Sequence, residues 1–172
     1  MKKVILIGYM AVGKTTIARL LSEKKGVKFI DLDNFIEEKT NLGISELFKL
    51  KGEIYFRKIE HEIFKDIVTN DEILVISTGG GTPCYADNHL FLNGENCISI
   101  YLRASLSVIL QRLKSEKETR PLVANQSEEE LKDFVAKHLF ERSYFYNQAT
   151  FTIEVDNKIP EVIADEIIQL LN

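Results

Sequence analysis

Eight residues near the start of this chain narrow what it can become before anything else is read. Four apolar residues, Val4 to Ile7, run directly into Gly8-Tyr9-Met10-Ala11-Val12-Gly13-Lys14-Thr15, and a helical pattern opens at Lys14. The stretch satisfies G-x-x-x-x-G-K-[ST] in the strand, loop and helix context that gives the pattern its meaning. Glycine lets a backbone curl inward where a Cβ would collide, so that many N–H groups face one point. The helix behind the loop adds its unsatisfied N–H groups and the positive end of its dipole. Lys14 contributes a point charge, and Thr15 a hard hydroxyl oxygen suited to Mg2+. Such a loop cradles a chain of phosphates, and Gly8, Ala11, Val12, Gly13, Lys14, Thr15 and Thr16 are its candidate contacts.

The rest of the chain continues the alternation. Strand patterns fall at 27–31, 73–77, 97–102 and 151–155. Helical patterns fall at 14–24, over 35–51 as one or two pieces broken near Asn41-Leu42-Gly43, at 53–69, from 106 and at 160–171. Ser127 with Glu130 three residues on forms a capping box, so a further helix starts there and runs to about Tyr146. Apolar strands alternating with helices predict a parallel sheet covered on both faces, with ligands beyond the carboxyl ends of the strands. A length of 172 residues fits one domain. The formal net charge of −4 argues against nucleic-acid binding and anionic membranes. No apolar run reaches the roughly 20 residues a bilayer requires. The two cysteines, Cys84 and Cys97, form no C-x-x-C pair, so a cytoplasmic location is expected.

A phosphate cradle alone does not separate a kinase from a switch or a motor. Those classes usually place an aspartate at the end of an apolar strand to hold Mg2+, whereas the strand ending at Ser77 runs into Thr78-Gly79-Gly80-Gly81. No Asn-Lys-x-Asp segment occurs. The carboxylates stand at Asp31-Leu32-Asp33. In an extended segment both point to one side, and both could then face the phosphates, one near the metal and one near an attacking hydroxyl. Asp33 is equally suited to cap the helix through Phe35 and Ile36. The three glycines offer backbone N–H groups, or close approach, to a small ligand.

The arginines have ordinary readings. Arg57 with Glu60 makes an exposed i, i+3 pair, worth a few tenths of a kcal/mol. Arg142 suits the C-terminal end of its helix. Arg120, in the polar stretch Lys114 to Gln126, is either in a solvated loop or in a lid that closes over phosphates.

Taken in order, Gly8 to Thr15, Asp31-Leu32-Asp33, Phe56-Arg57-Lys58-Ile59-Glu60, Thr78 to Gly81, Arg120-Pro121-Leu122 and Glu141-Arg142-Ser143-Tyr144 resemble the shikimate kinase family over nearly the whole chain. The resemblance implies a three-layer α/β/α P-loop kinase of the nucleoside-monophosphate-kinase type, with a five-stranded parallel sheet and a mobile lid at about 114–126. Residues 1–172 would be one kinase domain, with a shikimate-binding helical part at about 33–61. It implies transfer of the ATP γ-phosphate to shikimate, with Mg2+ as cofactor, in a monomer. Carried over, Lys14 and Thr15 serve the phosphates and the metal, and Asp31 supports the metal through water. Asp33 binds the substrate hydroxyls and stands as the candidate base. Arg57 and Arg142 grip the carboxylate, Gly79, Gly80 and Gly81 line the substrate, and Arg120 is the lid arginine. Arg112 and Pro160 are candidate adenine contacts. Ala11 departs from the glycine common at that place in the family loop, and its small size predicts little effect. Two rivals stay open: a gluconate- or nucleotide-kinase-like enzyme of the same fold, and a nucleotide-gated binding module without an acceptor.

Overall fold

In the computed structural model, which describes residues 2–115 and 127–171, five parallel strands form one sheet with helices on both of its faces. They are β1 (Lys3–Ile7), β2 (Lys28–Asp31), β3 (Leu74–Ser77), β4 (Cys97–Arg103) and β5 (Phe151–Glu154), in the spatial order β2-β3-β1-β4-β5. β1 lies in the middle of the sheet, and all five of its residues are buried. Burial on both faces explains why it reads as an uninterrupted apolar run and not as an alternating one.

The helices are α1 (Lys14–Lys25), α2 (Leu32–Thr40), α3 (Ile44–Lys51), α4 (Glu53–Thr69), α5 (Leu106–Ser115), α6 (Glu128–Tyr146) and α7 (Pro160–Leu170). Gly26 ends α1 in the left-handed conformation, with φ 65°, and its N–H returns to the Ser22 carbonyl, a glycine C-cap. α1 packs on α7 and against β3; α2, α3 and α4 pack on one another, as do α5 and α6. The Ser127–Glu130 capping box is present in full. The Lys114 ammonium meets the Glu128 carboxylate at 2.7 Å, tying the end of α5 to the start of α6. The expected lid and Arg120 fall almost wholly between those ends and lie outside the described residues.

Two expectations need correction. Asp31-Leu32-Asp33 is not an extended segment, because α2 begins at Leu32. The cap is Asp31, whose Oδ1 accepts from the Asn34 N–H at 3.3 Å, and Asp33 lies in the first turn. The apolar spacing decides this: a helix starting at Leu32 sends both Leu32 and Ile36 fully into the core, one turn apart on the same face.

The second concerns Ala11. Its size is not the relevant property, since its φ is 63°. A non-glycine residue in that region costs about 1–2 kcal/mol. Glycine there restores chain entropy to the unfolded state, which removes about 0.4–1 kcal/mol of the gain. Ala11→Gly should therefore raise the melting temperature by about 1–4 °C; a lower midpoint in a thermal melt would contradict this account.

Candidate active site

Gly8 leaves β1 with φ 144°, and a Cβ there would stand 2.6 Å from the Leu102 carbonyl oxygen, so no other residue fits between the loop and β4. Gly13, with φ 97°, turns the chain into α1. No side chain caps α1 and no acidic residue occupies its first turn, so its leading N–H groups and dipole face the loop without a competing anion. The Lys14 ammonium lies inside the loop and donates to the carbonyls of Gly8 and Tyr9, both at 2.8 Å. Arg112 braces the loop from α5, with Nη1 at 3.1 Å from both the Ala11 and Val12 carbonyls. Pro160 opens α7, the helix packed on α1.

A cavity of about 260 Å3 opens above the loop, and its walls include Lys14, Thr15, Thr16, Asp31, Asp33 and the first two glycines of the triplet. On one wall, Thr15 Oγ1 donates to Asp31 Oδ2 at 2.7 Å and lies 3.3 Å from Ser77 Oγ. Three hard oxygens thus lie together beside the cradle. They suit a Mg2+ ion that keeps several waters and draws its remaining ligands from phosphate. Asp33 stands deeper. Burial first, and then the neighbouring Glu60 and Asp31 carboxylates, lift its carboxyl from the ordinary 3.8 to about 6, against the pull of Lys14 and Arg57. A carboxylate with that affinity for protons can accept one from a hydroxyl near neutral pH.

The glycine triplet is where the two arginines meet. A Cβ on Gly81 would lie 2.8 Å from Arg57 Nη2, and one on Gly80 would lie 3.4 Å from Arg142 Nη1. A Cβ on Gly79 would lie 3.1 Å from Asp33 Oδ1. None of the three has a positive φ. They are glycines because side chains from α2, α4 and α6 come close to the turn, not because the backbone is unusual. Arg57 reaches the turn from α4, held between the ring of Tyr85 at 4.0 Å and that of Phe56 at 5.1 Å, favourable places for a guanidinium. Its Nη1 donates to Glu60 Oε2 at 2.7 Å. This is the expected i, i+3 pair, but it is not exposed: Glu60 is 1% accessible. Arg57 Nε is buried without a hydrogen-bond partner among the described residues, with Glu53 Oε1 3.5 Å away. Arg142 arrives from α6 over the ring of Tyr9, 5.4 Å from its centroid. Burial pushes the Tyr146 hydroxyl well above the ordinary tyrosine range; it stays protonated and donates to the Gly80 carbonyl at 2.6 Å.

The structure therefore brings Lys14, Thr15, Asp31, Asp33, Gly79, Gly80, Gly81, Arg57 and Arg142 to one end of the sheet. It adds residues that the sequence reading did not nominate: Ser77, Glu60, Thr82, Tyr85, Tyr9 and Tyr146. Two of them carried a local signal: Glu60, three residues after Arg57, and Tyr146, one helical turn beyond Arg142. Cys84 lies near both arginines, its thiol pushed up to about 11 by burial and thus neutral.

The family model for shikimate kinase matches residues 10–172. The chain is 48% identical over 171 residues to a shikimate kinase of Flavobacterium psychrophilum, with 99% of each chain covered. It is 40% identical over 169 residues to one of Sulfurihydrogenibium, covering 98% of this chain and 96% of the relative. Among solved structures, it superposes with a TM-score of 0.90 and 34% identity on shikimate kinase from Bacteroides thetaiotaomicron, covering 99% and 98% of the two chains. It superposes with a TM-score of 0.87 and 34% identity on shikimate kinase from Acinetobacter baumannii in complex with shikimate, covering 99% and 93%.

Proposed function

The chain belongs to the shikimate kinase family, whose members use ATP to phosphorylate the 3-hydroxyl of shikimate, and from that premise we propose how its own residues divide the work. The observation that carries the assignment is the meeting of Arg57 and Arg142 at the glycine turn, beside the cavity that holds Lys14 and Asp33. A small carboxylate can be gripped there by two planar guanidinium groups, with its hydroxyls toward Asp33 and the phosphate loop.

Lys14 and the N–H groups of the loop and α1 hold the β and γ phosphates. Thr15 directly, and Asp31 through water, would hold the Mg2+ that accompanies ATP, and the ion would neutralise phosphate charge as it develops. Asp33 orients the attacking hydroxyl and accepts its proton. Arg120 is assigned to the transferring group, and Arg112 and Pro160 to the adenine side of the nucleotide. Residues 33–61 form the acceptor-binding helical part and 114–126 the lid, within one kinase domain. The enzyme acts as a monomer in the reducing cytoplasm, in keeping, for the compartment, with the free thiols of Cys84 and Cys97. Most of the catalysis is positioning and electrostatic stabilisation.

ADP release measured with ATP and Mg2+ plus shikimate, gluconate, a nucleoside monophosphate or no acceptor tests the reading. Turnover should require shikimate, and equal release without any acceptor would overturn it. Arg57→Ala removes hydrogen bonds to a charged group and should lower kcat/KM for shikimate by about 1.5–3 kcal/mol, roughly 10- to 150-fold. The KM for ATP should stay within about twofold. An unchanged kcat/KM for shikimate would remove Arg57 from the site.

A further inference from the structure

Behind Arg57 runs a buried chain of hydrogen bonds that the reaction itself does not require. Glu60 has two carboxylate oxygens, and among the described residues each has one hydrogen-bond partner: Oε2 accepts from Arg57 Nη1 at 2.7 Å, and Oε1 accepts from Thr82 Oγ1 at 2.7 Å. Thr82 is completely buried, as is Asn88, whose Nδ2 donates to the Thr82 carbonyl at 2.9 Å. That contact fixes the Asn88 amide, so its Oδ1 is an acceptor, and His61 Nδ1, 2.8 Å away, must carry the proton and donate. Thr82 is thus held at its backbone by Asn88 and presents its hydroxyl hydrogen to Glu60. Gly79 makes room for this: a Cβ there would lie 3.1 Å from Thr82 Oγ1 and 3.5 Å from Glu60 Oε1.

We propose that Thr82 is a positioning residue for the acceptor site, whose hydroxyl holds the Glu60 carboxylate in the orientation that leaves one edge of the Arg57 guanidinium free for the substrate carboxylate. The proposal rests on the reading that Arg57 binds that carboxylate. A buried carboxylate oxygen that loses its donor carries a large desolvation penalty and seeks another. The nearest strong donor is Arg57 itself, which can be gripped by both carboxylate oxygens at once. Without the Thr82 hydroxyl, Glu60 swings both oxygens onto Arg57 and competes with the substrate for the guanidinium. With it, Glu60 takes Nη1 only, and Nη2 stays at the Gly81 turn. The consequence falls on shikimate affinity and spares ATP.

Thr82→Val keeps the shape and removes the hydroxyl. It should raise the KM for shikimate about tenfold, the usual size for a lost hydrogen bond to a charged group, with kcat within about threefold and the KM for ATP within about twofold. Thr82→Ser, which restores the hydroxyl, should bring the shikimate KM back to within about threefold of the parent protein. Thr69→Val, the same substitution at the exposed far end of α4, should change nothing. In an Arg57→Lys background Thr82→Val should add less than about twofold, because residues acting through one another are not additive. If Thr82→Val no longer melts cooperatively, Thr82→Ala carries the same expectations. An unchanged shikimate KM, an equal rise for ATP, or a full additional tenfold in the Arg57→Lys background overturns the proposal. Should Arg57→Lys alone leave the shikimate KM unchanged, the reading of Arg57 is what has failed.

Discussion

Replacing Lys14 by methionine should lower kcat by about a hundredfold to a thousandfold or more, the usual loss when a preorganised charge stabiliser is removed, while the protein still folds. Methionine keeps the unbranched stem of a side chain that is only 9% accessible and deletes the ammonium. Two carbonyls, those of Gly8 and Tyr9, lose their donor, which costs about 1–3 kcal/mol each at most and less where water can enter. The melting midpoint should therefore fall by several degrees while the transition stays cooperative. Steady-state assays at saturating ATP and shikimate, together with a thermal melt, check both halves. A variant turning over at the parental rate would show that this loop does not hold the transferring phosphate.

Asp33→Asn should produce the opposite pairing, a loss of activity with a gain in stability. Activity should fall about 10²–10⁴-fold, the range for removing a positioned general base. The gain in stability follows from linkage. Below pH 3.8 the carboxyl is protonated whether the chain is folded or not, and it contributes nothing. Between 3.8 and about 6 the unfolded chain releases the proton while the folded protein keeps it, so stability falls as pH rises through that window. Above about 6 the full penalty of an ionised, buried carboxylate beside Glu60 is present, about 2–3 kcal/mol. In protein free of nucleotide and metal, Asp33→Asn should thus melt about 4–10 °C higher at pH 7.5, with the advantage gone by pH 4. Equal midpoints at pH 7.5 would mean that Asp33 is not desolvated. An active site whose key carboxylate destabilises the resting fold is the familiar exchange of stability for function.

The sequence was informative where periodicity is long and local. The spacing of Phe56, Ile59, Ile63 and Ile67 predicts a helix over 53–69, and α4 spans those residues. The Ser127 capping box marks the start of α6, and Tyr146 its end. Two short 3₁₀ turns, Thr82–Cys84 and Asn88–Phe91, could not be read, because three or four residues are too few to show a period. The start of α2 was misplaced because two aspartates two residues apart are both good caps, and the choice between them was made by Leu32 entering the core. In the site, the motif residues could be read as chemistry because phosphate and carboxylate recognition demand particular groups. The surroundings of Arg57 could not. Its pairing with Glu60 is local, and by local rules it should be solvated. What buries it is Tyr85 and Thr82, 28 and 25 positions away in the chain.

The order of the strands has a bearing on how such an enzyme can change. On one flank of β1, β2 runs straight into α2, whose first turn carries Asp33, β3 runs into the glycine turn, and α4 between them carries Arg57. On the other flank, β4 and β5 lead into α5 and α7, which carry Arg112 and Pro160. In the proposed reading the alcohol to be phosphorylated is handled chiefly from the first flank and the nucleotide chiefly from the second, with the phosphate loop as their shared boundary, Asp31 serving the metal from the first flank, and Arg142 and Tyr146 reaching the glycine turn from α6. A descendant acquiring a new acceptor would need to rebuild the first flank and the Arg142 contact, while the phosphate loop, Asp31, α5 and α7 can be inherited.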